Sequence, residues 1–177
     1  MKKYELTAEF IEKWGKKLFR IKALISFGNV EAGELGGYVE KEDNLAQTGN
    51  AWVHGNARVF GNARVCDDAE VFGNARVYGD ARVCGNARVY GDADYLLIGR
   101  IGSRFSFTTF FKNKDKGITV SCGCFLGTIA EFRAKVSDTH GNNKHAKIYN
   151  LAADMAELQI LGEEHFENLN TNKSEPF

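Results

Sequence analysis

The chain has 177 residues, which is enough for one domain or for a repeat region with a small second domain. Its 23 basic and 23 acidic residues give a formal net charge of zero, which argues against broad electrostatic binding to nucleic acid or anionic lipid. No stretch of about 18 apolar residues and no signal peptide is present, so the four cysteines predict free thiols in a reducing cytosol.

The first predicted elements form a hairpin. Alternating residues at 4–7 and 18–26 favour two strands, and the polar, glycine-containing stretch at 12–16 favours a turn between them.

Seven six-residue phrases such as ARVYGD then follow one another without a gap, and we call residues 51–92 the repeat segment. A fixed period of six favours a parallel β-helix in which each phrase forms one side of a coil. Side chains alternate across a strand, so the recurring alanines and valines are predicted inside and the arginines and rings outside. The Gly-Asn or Gly-Asp pair that ends most phrases accepts positive φ and can turn the corner.

The longer phrase LGGYVEKEDNLAQTGNAWVHGNARV at residues 35–59 resembles a family of phage and prophage hexapeptide-repeat proteins, often labelled as transferases or polymer-forming proteins. The resemblance implies a left-handed parallel β-helix with three phrases per coil, and a cytoplasmic location in the host bacterium. The predicted fold class is mainly β: a left-handed parallel β-helix stem (33–93), an N-terminal β-hairpin cap (1–32), and a C-terminal α+β (ββαα) module (94–161) followed by a disordered tail (162–177).

With three phrases per coil, residues 18 apart stack about 4.8 Å from one another. Two columns of rings then lie outside: the first ring column is His54, Phe72 and Tyr90, and the second is Phe60 and Tyr78. Columns of outward rings favour a buried interface, and symmetric oligomers are the norm. We therefore predict a homo-oligomer, a trimer by preference, with Phe60, Phe72, Tyr78 and Tyr90 at its interface. The alternative is that the rings only stabilise the coil.

The C-terminal module is predicted from turn and cap signals. Strands at 104–112 and 118–125 flank a hairpin signal at 113–117. Thr128 and Glu131 match a capping box that opens a helix to about Thr139. A second helix is expected at 143–161, with its apolar face at Ile148, Leu151, Ala152, Met155, Leu158 and Ile160.

Specific recognition needs distinct groups on a rigid scaffold, and the uniform repeats present nearly the same atoms in every coil. This favours the C-terminal module, where the glycine-rich turn at 99–104 could hold an anion through backbone N–H groups and guanidinium forks, or could be a simple connection. The candidate binding residues are Arg100, Ser103, Arg104, Thr108, Thr109, Cys122, Cys124 and His140.

Two thiols and two imidazoles, at Cys122, Cys124, His140 and His145, could supply a tetrahedral zinc site. Their spacing does not match the common structural zinc motifs, so the two cysteines are more simply interpreted as small hydrophobes. A nucleophile pair of Cys124 and His140 lacks an evident third, orienting group. No catalytic residue, metal or cofactor is predicted.

The sequence favours a non-catalytic phage-encoded binding or inhibitor protein that oligomerises through its stem and engages a host protein, such as an anti-phage defence factor, or a small signalling ligand. One alternative is an acyltransferase of the hexapeptide class, for which the resemblance implies His54 as the base, although the chain lacks the long loop of those enzymes. Another is a structural oligomer or virion accessory protein. We expect no membrane partner.

Overall fold

The computed structural model describes residues 1–163, so most of the predicted disordered tail at 162–177 lies outside the described residues. The chain divides into two compact units, Met1–Asp92 and Ala93–Phe177. Among the described residues, no helix is both long and apolar enough to cross a membrane.

The first unit opens with a hairpin of two antiparallel strands, β1 (Tyr4–Lys13) and β2 (Lys16–Ala23). The two residues between them, Trp14 and Gly15, both have positive φ, as a tight hairpin turn requires. This turn lies where the sequence predicts it. A third strand, β3 (Leu35–Val39), pairs antiparallel with β2.

Each phrase of the repeat segment contributes one strand of two residues. Residues 18 apart pair in parallel, as Val59 does with Val77, so the predicted 18-residue spacing is confirmed. All seven alanines and all seven valines are buried, as the alternation predicts. The strands are β4 (Trp52–Val53), β5 (Arg58–Val59), β6 (Arg64–Val65), β7 (Glu70–Val71), β8 (Arg76–Val77), β9 (Arg82–Val83) and β10 (Arg88–Val89).

The predicted fold class, a left-handed parallel β-helix stem with a hairpin cap and a ββαα module, is wrong. The structure has four separate small sheets, and among residues 1–163 no closed helix forms from them. The hairpin is not a separate cap, because it continues into a five-stranded sheet of mixed pairing in the order β1-β2-β3-β5-β8. The two-residue strands end at every corner, which leaves β10-β7-β4 and β6-β9 as separate sheets.

Trp52 also differs from its prediction. Its position in the phrase places it with the outward residues, yet its side chain is fully buried. The rings of Tyr4 and Phe27 pack edge-on against it, with centroids 6.2 and 5.4 Å away. The N-terminal residues therefore cover the first phrase, which a periodic pattern cannot indicate.

The second unit is an antiparallel four-stranded sheet with two helices. Its strands are β11 (Tyr95–Ile101), β12 (Ser106–Lys112), β13 (Ile118–Cys122) and β14 (Phe125–Thr128), paired in chain order. The sequence predicts only β12 and β13. The helices α1 (Ile129–His140) and α2 (Lys144–Leu161) begin after the predicted capping box at Thr128 and after Asn143, which caps two backbone N–H groups.

The buried face of α2 is not the predicted one. Of the six predicted residues, only Ala152 and Ile160 are buried. The helix instead packs against the sheet through smaller side chains and one aromatic ring, because alanines allow close approach. Its core residues are Ala146, Tyr149, Ala152, Ala153, Ala156 and Ile160.

Candidate functional site

A partly buried thiol, Cys122, lies at the end of β13 beside β12. The antiparallel register places Thr108 opposite it. Thr108 is fully buried, and its hydroxyl donates a hydrogen bond to the Cys122 Sγ at 3.2 Å. The thiol thus accepts a hydrogen bond while its carbon atoms pack against the core of the unit.

Tyr149 reaches the same thiol from α2. Burial, and then the neighbouring Cys122, raise the pKa of Tyr149 to about 12, while Arg104 acts in the opposite direction. The phenol therefore stays neutral and can donate a hydrogen bond. Gly102 has a φ of +74° and packs so closely on the Tyr149 hydroxyl that a Cβ at this position has no room. The glycine-rich turn thus shapes this site through its backbone.

Between the sheet and the helices is a cavity of about 110 Å³ that includes the thiol and the phenol in its lining. Aromatic and aliphatic groups form most of its wall, and a basic side chain and an imidazole lie among them. The lining residues are Cys122, Phe125, Phe132, Lys135, Val136, Thr139, His140 and Tyr149. We call this the Cys122 cavity.

His140 lies at the C-terminal end of α1 and stacks on Tyr149, with ring centroids 5.8 Å apart and an interplanar angle of 28°. The ring centroid of His145 is 5.7 Å from that of His140. The imidazole of His140 is therefore held by rings at the rim of the Cys122 cavity, where it can donate or accept a hydrogen bond.

The structure groups four of the eight candidate binding residues, Arg104, Thr108, Cys122 and His140, around Tyr149. The other four lie elsewhere: Arg100, Ser103 and Cys124 are exposed, and Thr109 is buried on the opposite face of β12. Whether any of the eight binds a ligand stays a prediction. Sequence reasoning missed Tyr149. A tyrosine among the apolar residues of a helix is most simply interpreted as a core residue.

The candidate zinc ligands do not form one set. In the described part of the chain, the group of three potential ligand residues is Cys66, Asp67 and Cys84, not the thiols and imidazoles of the second unit. Cys66 and Cys84 are joined by a disulfide, so neither offers a thiolate to a metal. Free thiols were predicted for all four cysteines, and for these two the prediction is wrong.

Both predicted ring columns are present on the first unit. In the first ring column, centroids are 4.5 Å apart for His54 and Phe72 and 4.6 Å for Phe72 and Tyr90, with nearly parallel planes. In the second, Phe60 stacks on Tyr78 at 5.2 Å. Tyr78 and Tyr90, at one end of each column, are about half exposed.

His54 also belongs to a charged group. Its Nε2 lies 3.2 Å from Glu70 Oε1, and the other oxygen of Glu70 lies 2.6 Å from an Arg88 guanidinium nitrogen. Glu70 is partly buried between them. A carboxylate that fixes an imidazole is an arrangement found in catalytic and structural sites alike.

A family model described as the YdcK beta solenoid repeat matches residues 81–93. The match covers the last two phrases of the repeat segment, so this stretch is similar to a beta-solenoid repeat. A comparison with curated proteins finds no match.

Proposed function

We propose that this protein is a non-catalytic binding or inhibitor protein of the kind that phages and prophages encode. Its repeat segment holds copies of the chain together, and its second unit engages a host protein, such as a defence factor, or a small signalling ligand in the host cytosol. The Cys122 cavity is the observation that supports this proposal.

The size of the cavity limits what can enter it. An apolar cavity of about 150 Å³ holds one benzene molecule, so a cavity of about 110 Å³ accepts a group smaller than a nucleotide base with its sugar. A protein side chain or the end group of a larger ligand fits, and the rest of a larger ligand, such as a signalling nucleotide, would lie outside the opening. The volume therefore favours a host protein that inserts one residue, with other contacts made outside the cavity.

The lining favours a particular kind of inserted group. Phe125, Phe132 and Val136 offer apolar and aromatic contact, while Lys135 and His140 offer hydrogen-bond donors. An apolar stem that ends in a carbonyl or carboxylate oxygen satisfies both parts of this wall. In many protein interfaces, a few buried anchor residues of this kind, surrounded by a polar rim, contribute most of the binding free energy.

Filling the cavity tests the proposal. Thr139 is exposed at the rim, so Thr139→Trp can occupy the opening without disturbing the core. We expect the variant to lose at least tenfold in affinity for the partner captured from a bacterial host lysate, or for a ligand found in a thermal-shift screen of acyl-CoAs, cyclic nucleotides and ADP-ribose-type molecules. Binding is measured by titration calorimetry.

The matched control is Asp138→Trp, which places the same ring one residue away, at an exposed position that does not line the cavity. It should bind as the wild type does. Equal binding by wild type and Thr139→Trp would rule out the cavity as the binding site.

A second candidate function is acyl transfer with His54 as the general base, which the contact between His54 and Glu70 favours. The carboxylate would orient the imidazole for proton abstraction from an acceptor hydroxyl or amine. In this case His54→Ala should abolish transfer from an acyl-CoA, and Glu70→Gln should reduce it at least tenfold. No transfer by the wild type over a panel of acceptors would leave binding as the function.

A further inference from the structure

The helix α2 carries a second apolar face that residues 93–163 of its unit leave exposed. Four large side chains are exposed on it, by 38% for Ile148, 66% for Leu151, 54% for Met155 and 45% for Leu158. They lie on the side of the helix away from the core residues Ala146, Tyr149, Ala153 and Ala156. We call them the α2 stripe.

The spacing of the α2 stripe matches a coiled-coil seam. Its residues follow one another by three, four and three positions, which is the a-d-a-d pattern of two successive heptads. A helix that only covers a core has a broader apolar arc, and α2 already has one in its alanine-rich face. The narrow second seam is suited to packing against another helix, in which the side chains of each helix insert between those of the other.

Charges at the two ends of the α2 stripe indicate how the second helix runs. Lys144 and Lys147 are exposed at the N-terminal end, and no acidic residue lies in the first turn of the helix. Glu163 is exposed just beyond the C-terminal end. Lysines near a helix N-terminus and a carboxylate near the C-terminus oppose the helix dipole. An antiparallel copy of the same helix brings each pair of lysines to the other's carboxylate.

We propose that α2 is a self-association surface at which two copies of the chain pair their helices antiparallel. Ile148 of one copy then packs near Leu158 of the other, and Leu151 near Met155, about a two-fold axis. Such an interface is isologous, because the same patch serves on both sides. It is separate from the ring columns of the repeat segment and does not depend on them.

The test is the mass of the full chain in solution, measured by light scattering over a concentration series. The double variant Leu151→Glu, Met155→Glu should have half the limiting mass of the wild type. The control is Leu126→Glu, at a leucine of β14 outside the stripe that is 45% exposed, and it should leave the mass unchanged. Circular dichroism verifies that the helices persist, and Met155→Glu alone replaces the double variant if the latter does not fold.

Charge reversal tests the antiparallel arrangement. Lys147→Glu should weaken the pairing at least threefold, and the combined variant Lys147→Glu, Glu163→Lys should restore it. A wild-type mass that the stripe substitutions do not change overturns the proposal. A combined variant no stronger than Lys147→Glu overturns the antiparallel pairing. Variants of the Cys122 cavity should not affect either measurement, so failure here is separate from failure of the proposed function.

Discussion

Lys3 is a buried cation in the first unit. Its ammonium donates to the backbone carbonyl oxygens of Thr48, Gly49 and Ala51, the last at 2.8 Å, and lies 4.8 Å from the centroid of the Phe27 ring. These carbonyls lie just before β4, the first strand of the repeat segment. Lys3 therefore ties the N-terminal strand to the start of the repeat segment through backbone acceptors.

This burial predicts a pH dependence of stability. Burial lowers the pKa of Lys3 from 10.5 to about 8, so the unfolded chain binds a proton that the folded chain releases between these values. The free energy of unfolding should then rise with pH, by about 2 kcal/mol between about pH 8 and pH 10. Denaturant titrations of the wild type and of Lys3→Met measure it. The difference in the free energy of unfolding between the two proteins separates the effect of Lys3 from that of other titrating groups. An equal change with pH in both proteins would contradict the prediction.

At the scale of elements, the disulfide between Cys66 and Cys84 joins two phrases of the repeat segment whose strands, β6 and β9, also pair through their backbones. The two cysteines are 18 residues apart, in the same register that pairs β6 with β9. The bond thus closes a loop across this pair of strands.

Reduction of this bond should destabilise the first unit by about 3 kcal/mol, because a closed loop of this length removes that much entropy from the unfolded chain. Urea unfolding with and without a reductant measures the change. The variant Cys66→Ser, Cys84→Ser should unfold at one midpoint under both conditions. A wild-type midpoint that the reductant does not move, with both thiols open to alkylation in the untreated protein, would count against the bond.

At the scale of the whole molecule, assembly through the ring columns remains the central prediction. Tyr78 and Tyr90 are about half exposed, so replacing them changes the surface more than the core. Tyr78→Arg, Tyr90→Arg should lower the mass to that of the α2 pair, since it places two charges where an apolar contact is expected. Light scattering at micromolar concentration measures the mass. The control is Arg64→Glu, at an exposed position in the sheet of β6 and β9, and it should leave the mass unchanged. A monomeric wild type would exclude the oligomer.

Several parts of the fold followed from local signals. The buried valines and alanines, the 18-residue pairing and the stacked rings could be predicted because they repeat with a fixed period. The capping box at Thr128 and the cap at Asn143 could be predicted because they depend on side chains a few residues away. The strands β11 and β14 were missed, since Tyr95–Ile101 and Phe125–Thr128 carry little alternation and gain their place from pairing with β12 and β13.

The sequence by itself determined that the alanine and the valine of each phrase face inward, because alternation along a strand depends on neighbours in the chain. Only the tertiary structure decided which other elements of the chain pack against those phrases. The burial of Trp52, the continuation of the hairpin into the β1-β2-β3-β5-β8 sheet, and the grouping of Arg104, Thr108, Cys122 and His140 around Tyr149 all depend on contacts between distant residues. The buried face of α2 also depends on the tertiary structure. Its small alanines are buried in the core, and the larger side chains of the α2 stripe are exposed, because close packing depends on shape as well as on hydrophobicity.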